Sequence, residues 1–347
     1  MAAAPTYDLT LPWLQAMARH TLAPDERVEI LWLGSAGADD PVAVLPLVRS
    51  AGGAPMQGRS LRGLANYYNG RFAPLMAPGV DADAVAGALA RALAEELPAW
   101  QALDLNPMDP ADPLYAALER GIRERGCYVQ RYFRFGNWYL LLAGRAYAEY
   151  VASLPSRLQN TLKRKGKKLA QMQDARFEIV QTSDRVDAAM DAWEGLYATS
   201  WQQVESYPAF MREVAREFAA RGWLRLGMLW MGERLAAAQV WFVYNRTASI
   251  FKLAYDPQYA EHSVGSLLTA HLMRQAIDVD GVEIVDYLSG DDDYKRDWMS
   301  VRGERWGLRV YRWRSLAGFA GAARSLAGQL ARRGLDKVRR AGSRSGT

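Results

Sequence analysis

Three apolar runs, at residues 223–231, 234–244 and 247–255, constrain this chain more than any other feature. Only Gly232-Glu233 and Asn245-Arg246 separate them. Runs of this length rich in Trp, Phe, Val, Ile and Tyr read as strands, and two-residue breaks of this kind join antiparallel neighbours. A three-stranded meander is the result. Helical patterns at 184–201 and 208–220 precede it. After it, a small-residue turn, His262-Ser263-Val264-Gly265-Ser266, leads into Leu267, Leu268, Leu272, Met273 and Ile277 at helical spacing. A short strand at 282–288 follows and ends in a dense polar cluster, Gly290-Asp291-Asp292-Asp293-Tyr294-Lys295-Arg296-Asp297-Trp298. Helices, antiparallel strands, then a helix crossing to one more strand make an α+β chain. Its sheet is mixed, mostly antiparallel and flanked by helices.

A flexible turn feeding a helix N-terminus presents unpaired backbone N–H groups and the positive end of a dipole, which suits a pyrophosphate. His262, Ser263, Val264, Gly265, Ser266 and Leu267 are therefore the candidate cofactor-binding residues. No Gly-Lys-Ser/Thr follows to hold Mg²⁺, and no Gly-x-Gly-x-x-Gly occurs here. An acyl-coenzyme A fits this turn better than a nucleoside triphosphate or NAD. A carboxylate-rich loop after the next strand suits proton transfer and amine binding. Asp286 interrupts an apolar strand and needs a partner there, which Lys295 or Arg296 can supply. Asp291, Asp292 and Asp293 fit either a site or a solvated loop.

The quoted residues resemble the GNAT acyltransferase fold in its FemAB-like, cellulose-biosynthesis CelD-type branch. That branch reads Tyr-Asp, Ser-Pro-Gly-x-Leu-Leu, a helix, then Asp-x-Leu-x-Gly-Asp, Tyr-Lys and Trp. The matching residues are Tyr255-Asp256, Ser263-Val264-Gly265-Ser266-Leu267-Leu268, Asp286-Tyr287-Leu288-Ser289-Gly290-Asp291, Tyr294-Lys295 and Trp298. Val264 stands where the branch has Pro. His262 and Leu267 depart from the first and last positions of the wider Gln/Arg-x-x-Gly-x-Gly/Ala pattern.

The resemblance implies two tandem GNAT-like domains, 1–150 on the acceptor side and 151–314 as the acyltransferase, followed by a basic helical tail at 315–347. It implies an acyl-coenzyme A-dependent N-acyltransferase, with acetyl-CoA or another acyl-CoA as donor. The acceptor amine would belong to a sugar, an amino acid or a cell-envelope precursor, as in polysaccharide biosynthesis, and would attack directly. Asp286, Asp291 and Lys295 are the catalytic candidates; Asn66, Tyr67, Tyr68 and Tyr294 are the substrate-binding candidates. Two alternatives stand beside this reading: a FemAB-like transferase using aminoacyl-tRNA, and a non-catalytic scaffold for envelope assembly.

Charge is unevenly spread. Residues 157–176 carry seven Lys/Arg and one acid, and residues 312–347 carry nine and one. Against a net charge of +5, the rest of the chain is therefore acidic, at −9. Any anionic partner, a membrane surface or tRNA, belongs to those two segments. One cysteine and three histidines exclude a disulfide framework and argue against a zinc site, so no metal is expected. The N-terminal residues lack a signal-peptide pattern, which predicts a cytoplasmic protein, peripheral at the inner membrane face if its tail docks there. Residues 127–135 and 138–142 read as a hairpin turning at Gly136-Asn137.

Overall fold

The computed structural model describes residues 6–34, 41–50, 60–97, 100–201 and 205–312, together with Ala323. The chain begins with α1 (Leu11–His20), β1 (Glu26–Gly34), β2 (Pro41–Ser50), β3 (Ser60–Gly63) and β4 (Leu75–Met76). Next come α2 (Ala82–Arg91), β5 (Ala102–Met108), α3 (Pro113–Glu124), β6 (Cys127–Leu141), α4 (Tyr147–Ser153) and α5 (Ser156–Ala170). Then follow β7 (Ala175–Val180), α6 (Val186–Trp201), α7 (Pro208–Ala220), β8 (Leu224–Met231), β9 (Arg234–Tyr244) and β10 (Thr247–Tyr255). The last elements are α8 (Val264–Arg274), β11 (Ile284–Ser289), α9 (Asp293–Trp298) and β12 (Val301–Arg312). The basic tail expected over 315–347 lies outside the described residues, Ala323 apart.

The chain divides into two compact units. The first holds Ala23–Arg134 and the described residues from Trp306 on; the second holds Phe135–Arg305 and the described residues up to Leu22.

In the first unit the strands run in the order β1-β2-β3-β5-β12, with β4 on β2. The β3–β5 pair is parallel and the others are antiparallel. Helices α2 and α3 start where an aspartate accepts a backbone N–H: Asp81 from Asp83 and Asp112 from Leu114, both at 3.0 Å. The two helices meet through small residues, and a Cβ on Gly121 would lie 2.9 Å from that of Ala90. Leu45, Leu47, Leu61, Leu103, Leu105, Leu89 and Leu118 fill the core between helices and sheet.

In the second unit the order is β6-β11-β10-β9-β8-β7. The meander is antiparallel throughout, and β11 joins β10 in parallel after the α8 crossover. That crossover positions the site. The β10–β11 ladder holds for three residues only, Thr247↔Ile284 to Ser249↔Asp286, while β10 runs on to Tyr255. Beyond Ser249 the two strands diverge, and α8 begins just past the far end of β10.

A bulge between Ile250 and Lys252 accompanies the divergence. Before it, Ala248 and Ile250 face α8; after it, Lys252 pairs with Val240 and lies on the opposite face with Phe251. There Phe251 joins Tyr7, Trp13 and Phe242 in an aromatic cluster. The other face carries a core of Trp241, Ile250, Leu268, Leu272, Met273, Val285 and Tyr287.

The hairpin expected at Gly136-Asn137 does not form: β6 passes straight through both residues. Local turn chemistry loses to tertiary contacts. A Cβ on Gly136 would sit 3.0–3.1 Å from the Arg302 and Asp291 side chains, and the Asn137 side chain is buried against Asp286. Both residues are there for close approach.

Candidate functional site

Helix α8 enters through Ser263, whose φ of 56° is left-handed and whose hydroxyl caps nothing. The first-turn N–H groups of Val264, Gly265 and Ser266 consequently find no hydrogen-bond partner among the described residues. A Cβ built on Gly265 would meet one atom only, Tyr255 Cδ1 at 3.8 Å. The open side of that turn therefore faces the end of β10, where the strands diverge. Of the expected cofactor-binding residues, Val264 and Leu267 turn their side chains into the core. They can serve a ligand through the backbone alone. His262 lies 3.2 Å from the Glu261 carboxylate.

A buried network holds this turn. Gln239 donates to the Gly265 carbonyl (3.1 Å) and to Thr269 Oγ1 (2.8 Å), and accepts from Trp241 Nε1 (2.9 Å). Thr269 also donates to the Gly265 carbonyl at 3.0 Å. The Thr269 hydroxyl is hydrogen-bonded to Tyr287, whose pKa burial raises. The α8 entrance is thus tied to both β9 and β11.

Asp286 and Tyr287 point to opposite faces of β11, as alternation requires. Asp286 shares its face with Tyr7. Its Oδ1 accepts from Asn137 Nδ2 (2.9 Å) and from the Leu288 N–H (2.7 Å). Burial pushes the Asp286 pKa up, with Arg305, these two hydrogen bonds and Lys295 opposing it. Leu288 holds a φ of 54°, and Gly290 follows at 115°. A branched residue in the left-handed region is strained, and such residues gather where function over-determines the backbone. Tyr7 is fully buried, and its hydroxyl has no hydrogen-bond partner among the described residues. Burial raises its pKa first, then the charges of Asp8 and Asp286.

Lys295 lies on the Tyr287 side and is 5% exposed. Its ammonium donates to the carbonyls of Ser289 (2.5 Å) and Tyr287 (3.4 Å) and lies 3.4 Å from Asp292. Burial lowers its pKa, with Asp292 opposing. A Cβ at Gly290 would approach Lys295 Nζ to 2.8 Å, and the φ of 115° is what calls for glycine in this turn.

The structure brings Asp286, Lys295 and Tyr294 together around the end of β11. Tyr294 is half-exposed, and burial followed by Asp292 pushes its pKa up to about 12. Asp291 is engaged differently. It pairs with Arg302 at 2.7 Å and accepts from Trp138 Nε1 at 2.8 Å, and Arg302 holds its carboxyl below the usual range. Asn66, Tyr67 and Tyr68 belong to the first unit. There they form a turn in which Asn66 accepts from the Tyr68 N–H at 2.9 Å, Tyr68 is buried and Tyr67 is exposed.

Sequence reasoning does not find Tyr7, Asn137, Arg305, Gln239 or the Lys252–Glu205 ion pair (3.0 Å) beside Tyr197. Gln239 carries a readable signal, as a lone amide in the apolar run Ala236-Ala237-Ala238-Gln239-Val240-Trp241. The others depend on long-range contacts. Among the described residues no His, Cys, Asp or Glu cluster is placed to hold a metal ion, and no helix is long and apolar enough to cross a membrane.

Comparison with known proteins bears on the fold. Residues 156–296 match the Acetyltransferase (GNAT) domain family. Among solved structures the chain is similar to FemX, with a TM-score of 0.61 at 9% identity over 88% of this chain and 92% of that one. It is also similar to the C-terminal domain of a protein named as a lysylphosphatidylglycerol synthetase from Agrobacterium fabrum (TM-score 0.53, 13% identity, 90% of both chains). L-PGS from Bacillus licheniformis matches at a TM-score of 0.51 and 10% identity, over 88% of this chain and 90% of that one. At these identities the likeness is one of fold. No curated protein matches the chain.

Proposed function

We propose that this chain, a GNAT-fold acyltransferase of the FemAB-like family, takes its acyl group from an acyl-coenzyme A and delivers it to an amine. The observation that carries the reading is the divergence of β10 and β11 beyond Ser249, with unpartnered N–H groups of α8 at its outer end. Residues 264–266 would hold the pyrophosphate through the backbone, and the opening between the strands would take the pantetheine arm. When bound, the thioester supplies an activated acyl carbonyl.

The chain's own residues do the rest by position and charge. Asp286, with its pKa raised, is suited to accept a proton from an ammonium or from a water beside it. Lys295 fixes the carbonyls of Tyr287 and Ser289 and so holds the shape of the strand end. Its charge lies on the side of β11 away from Asp286, where it favours the ionised carboxylate. We assign substrate binding to Tyr294, whose half-exposed ring packs on Tyr287. The donor side we assign to the second unit, within Phe135–Arg305.

Calorimetric titration with acetyl-CoA and longer acyl-CoAs tests the donor directly. Micromolar binding at one site per chain is the expected result. Binding of aminoacyl-tRNA with no binding of any acyl-CoA would overturn the reading and give the site a different donor.

A further inference from the structure

Between α5, α8 and β7 lies a cavity of about 490 Å³ that the acyl-transfer reading does not use. Its walls are Leu169 and Ala170 of α5, Leu267 and Ala270 of α8, Phe177 of β7 and Tyr147 of α4. His271 stacks on Phe177, ring centroids 4.5 Å apart at 12°, and extends the apolar wall. Burial lowers the His271 pKa, with the Arg274 charge adding to it. The volume lies in the range that holds small organic ligands.

Two features identify what fits. First, Gly166 stands in the interior of α5 on the cavity face, and a Cβ there would meet only Leu267 Cδ2 at 3.8 Å. Glycine is the least favourable non-proline residue inside a helix, and here it leaves the cavity open where any larger side chain would fill it. Second, Lys163, Arg164, Lys167 and Lys168 form one exposed stripe along α5, adjoining that face. None of the four makes an ion pair or side-chain hydrogen bond with a described residue. On the opposite bank Arg274 is exposed, and its ion pair with Asp278 is long, at 4.0 Å.

An apolar cavity beside an unpaired cationic stripe complements a ligand with an anionic head and a hydrocarbon tail. We infer that this face docks on an anionic membrane surface, the α5 stripe meeting the headgroups and the cavity receiving one acyl chain of an anionic phospholipid. RNA fits less well. It would use the charges but not the cavity, and no aromatic residue interrupts the stripe to stack a base.

The test uses the full chain with vesicles of phosphatidylglycerol and phosphatidylcholine, and with phosphatidylcholine alone. Gly166→Leu fills the cavity from a helix-favouring side chain and is expected to fold at least as well as the parent. Replacing Lys163, Arg164, Lys167 and Lys168 with Gln removes the stripe. The expected results are a loss of roughly a thousandfold in phosphatidylglycerol-dependent binding for the charge variant and at least about tenfold for Gly166→Leu.

Hydrogen exchange localises the effect. Phosphatidylglycerol vesicles should slow exchange in α5 and α8 of the parent and not in Gly166→Leu. A folded Gly166→Leu variant with unchanged vesicle binding and unchanged protection would overturn the inference. So would protection confined to other segments, or charge-dependent binding to a single-stranded RNA oligonucleotide without any to vesicles. Acetyl-CoA titration of Gly166→Leu should be unchanged, which separates this inference from the donor reading.

Discussion

Gly265→Asp should weaken donor binding and strengthen the fold at the same time. The added Cβ meets only Tyr255 Cδ1 at 3.8 Å, so the side chain enters without a clash. Glycine near a helix start is a poor helix former, and an aspartate in the first turn complements the dipole. Together these add about 0.5–1 kcal/mol, or up to about 4 °C in melting temperature.

The new carboxylate also stands where the pyrophosphate would lie. At about 6 Å and an effective dielectric constant of about 40, one carboxylate–phosphate pair costs about 1.4 kcal/mol. Two phosphate charges then cost about 3 kcal/mol, roughly a hundredfold in Kd. Calorimetry with acetyl-CoA and a thermal melt measure both sides, and Gly265→Asn supplies the same shape without the charge. A stabilised Gly265→Asp variant with unchanged acetyl-CoA affinity would refute the reasoning and remove α8 from the donor site.

Asp286→Asn should lower turnover by at least about tenfold and abolish the acid limb of the pH profile. That limb should lie above the ordinary carboxylate range, because burial raises the Asp286 pKa and the base form exists only above it. A raised native pKa means that stability falls as pH rises through it, so the same variant should melt higher than the parent at pH 7 and lose that advantage in acid. Lys295→Met should also cost turnover about tenfold, with little change in melting temperature, since relief of a buried ammonium offsets its lost hydrogen bonds. Gln239→Leu strands the buried Trp241 N–H and should cost about 2 kcal/mol by chemical denaturation. Gly63→Ala puts a Cβ 2.6 Å from the buried Phe72 ring and should cost about 1–3 kcal/mol in the first unit, with acetyl-CoA affinity unchanged.

The meander at 224–255 and the α8 crossover are legible in the sequence because each rests on local periodicity. Asp286 is legible as a charge in an apolar strand, and Lys295 through the Tyr-Lys pair of the resemblance. The rest depends on partners distant in the chain. Gly136-Asn137 has the composition of a turn, yet it is extended because Asp291, Arg302 and Asp286 close on it from more than a hundred residues away. Helix α1 gives no sign that it packs in the second unit, where Trp13 meets Phe210 and Phe242. The Lys252–Glu205 pair is invisible for another reason: strict alternation would send Lys252 to the α8 face, and only the bulge moves it.

Because of that bulge, the nine residues of β10 climb only eight rungs of the ladder with β9. The strand therefore has one place where its length can change without cost to parity. Removing Phe251 would make Ile250 and Lys252 successive residues with the partners they already hold, Trp241 and Val240. Every other side chain would keep its layer, and the loss would fall on the aromatic cluster alone. Removing Leu253 instead cannot be absorbed so simply: if the ladder closes up, Phe251 takes the rung opposite Val240 and Lys252 the rung opposite Gln239, among the groups that hold the α8 entrance. Chains that share this site should accordingly differ in the length of β10 at the bulge, by the presence or absence of one residue, and keep the count fixed along the remainder of the strand.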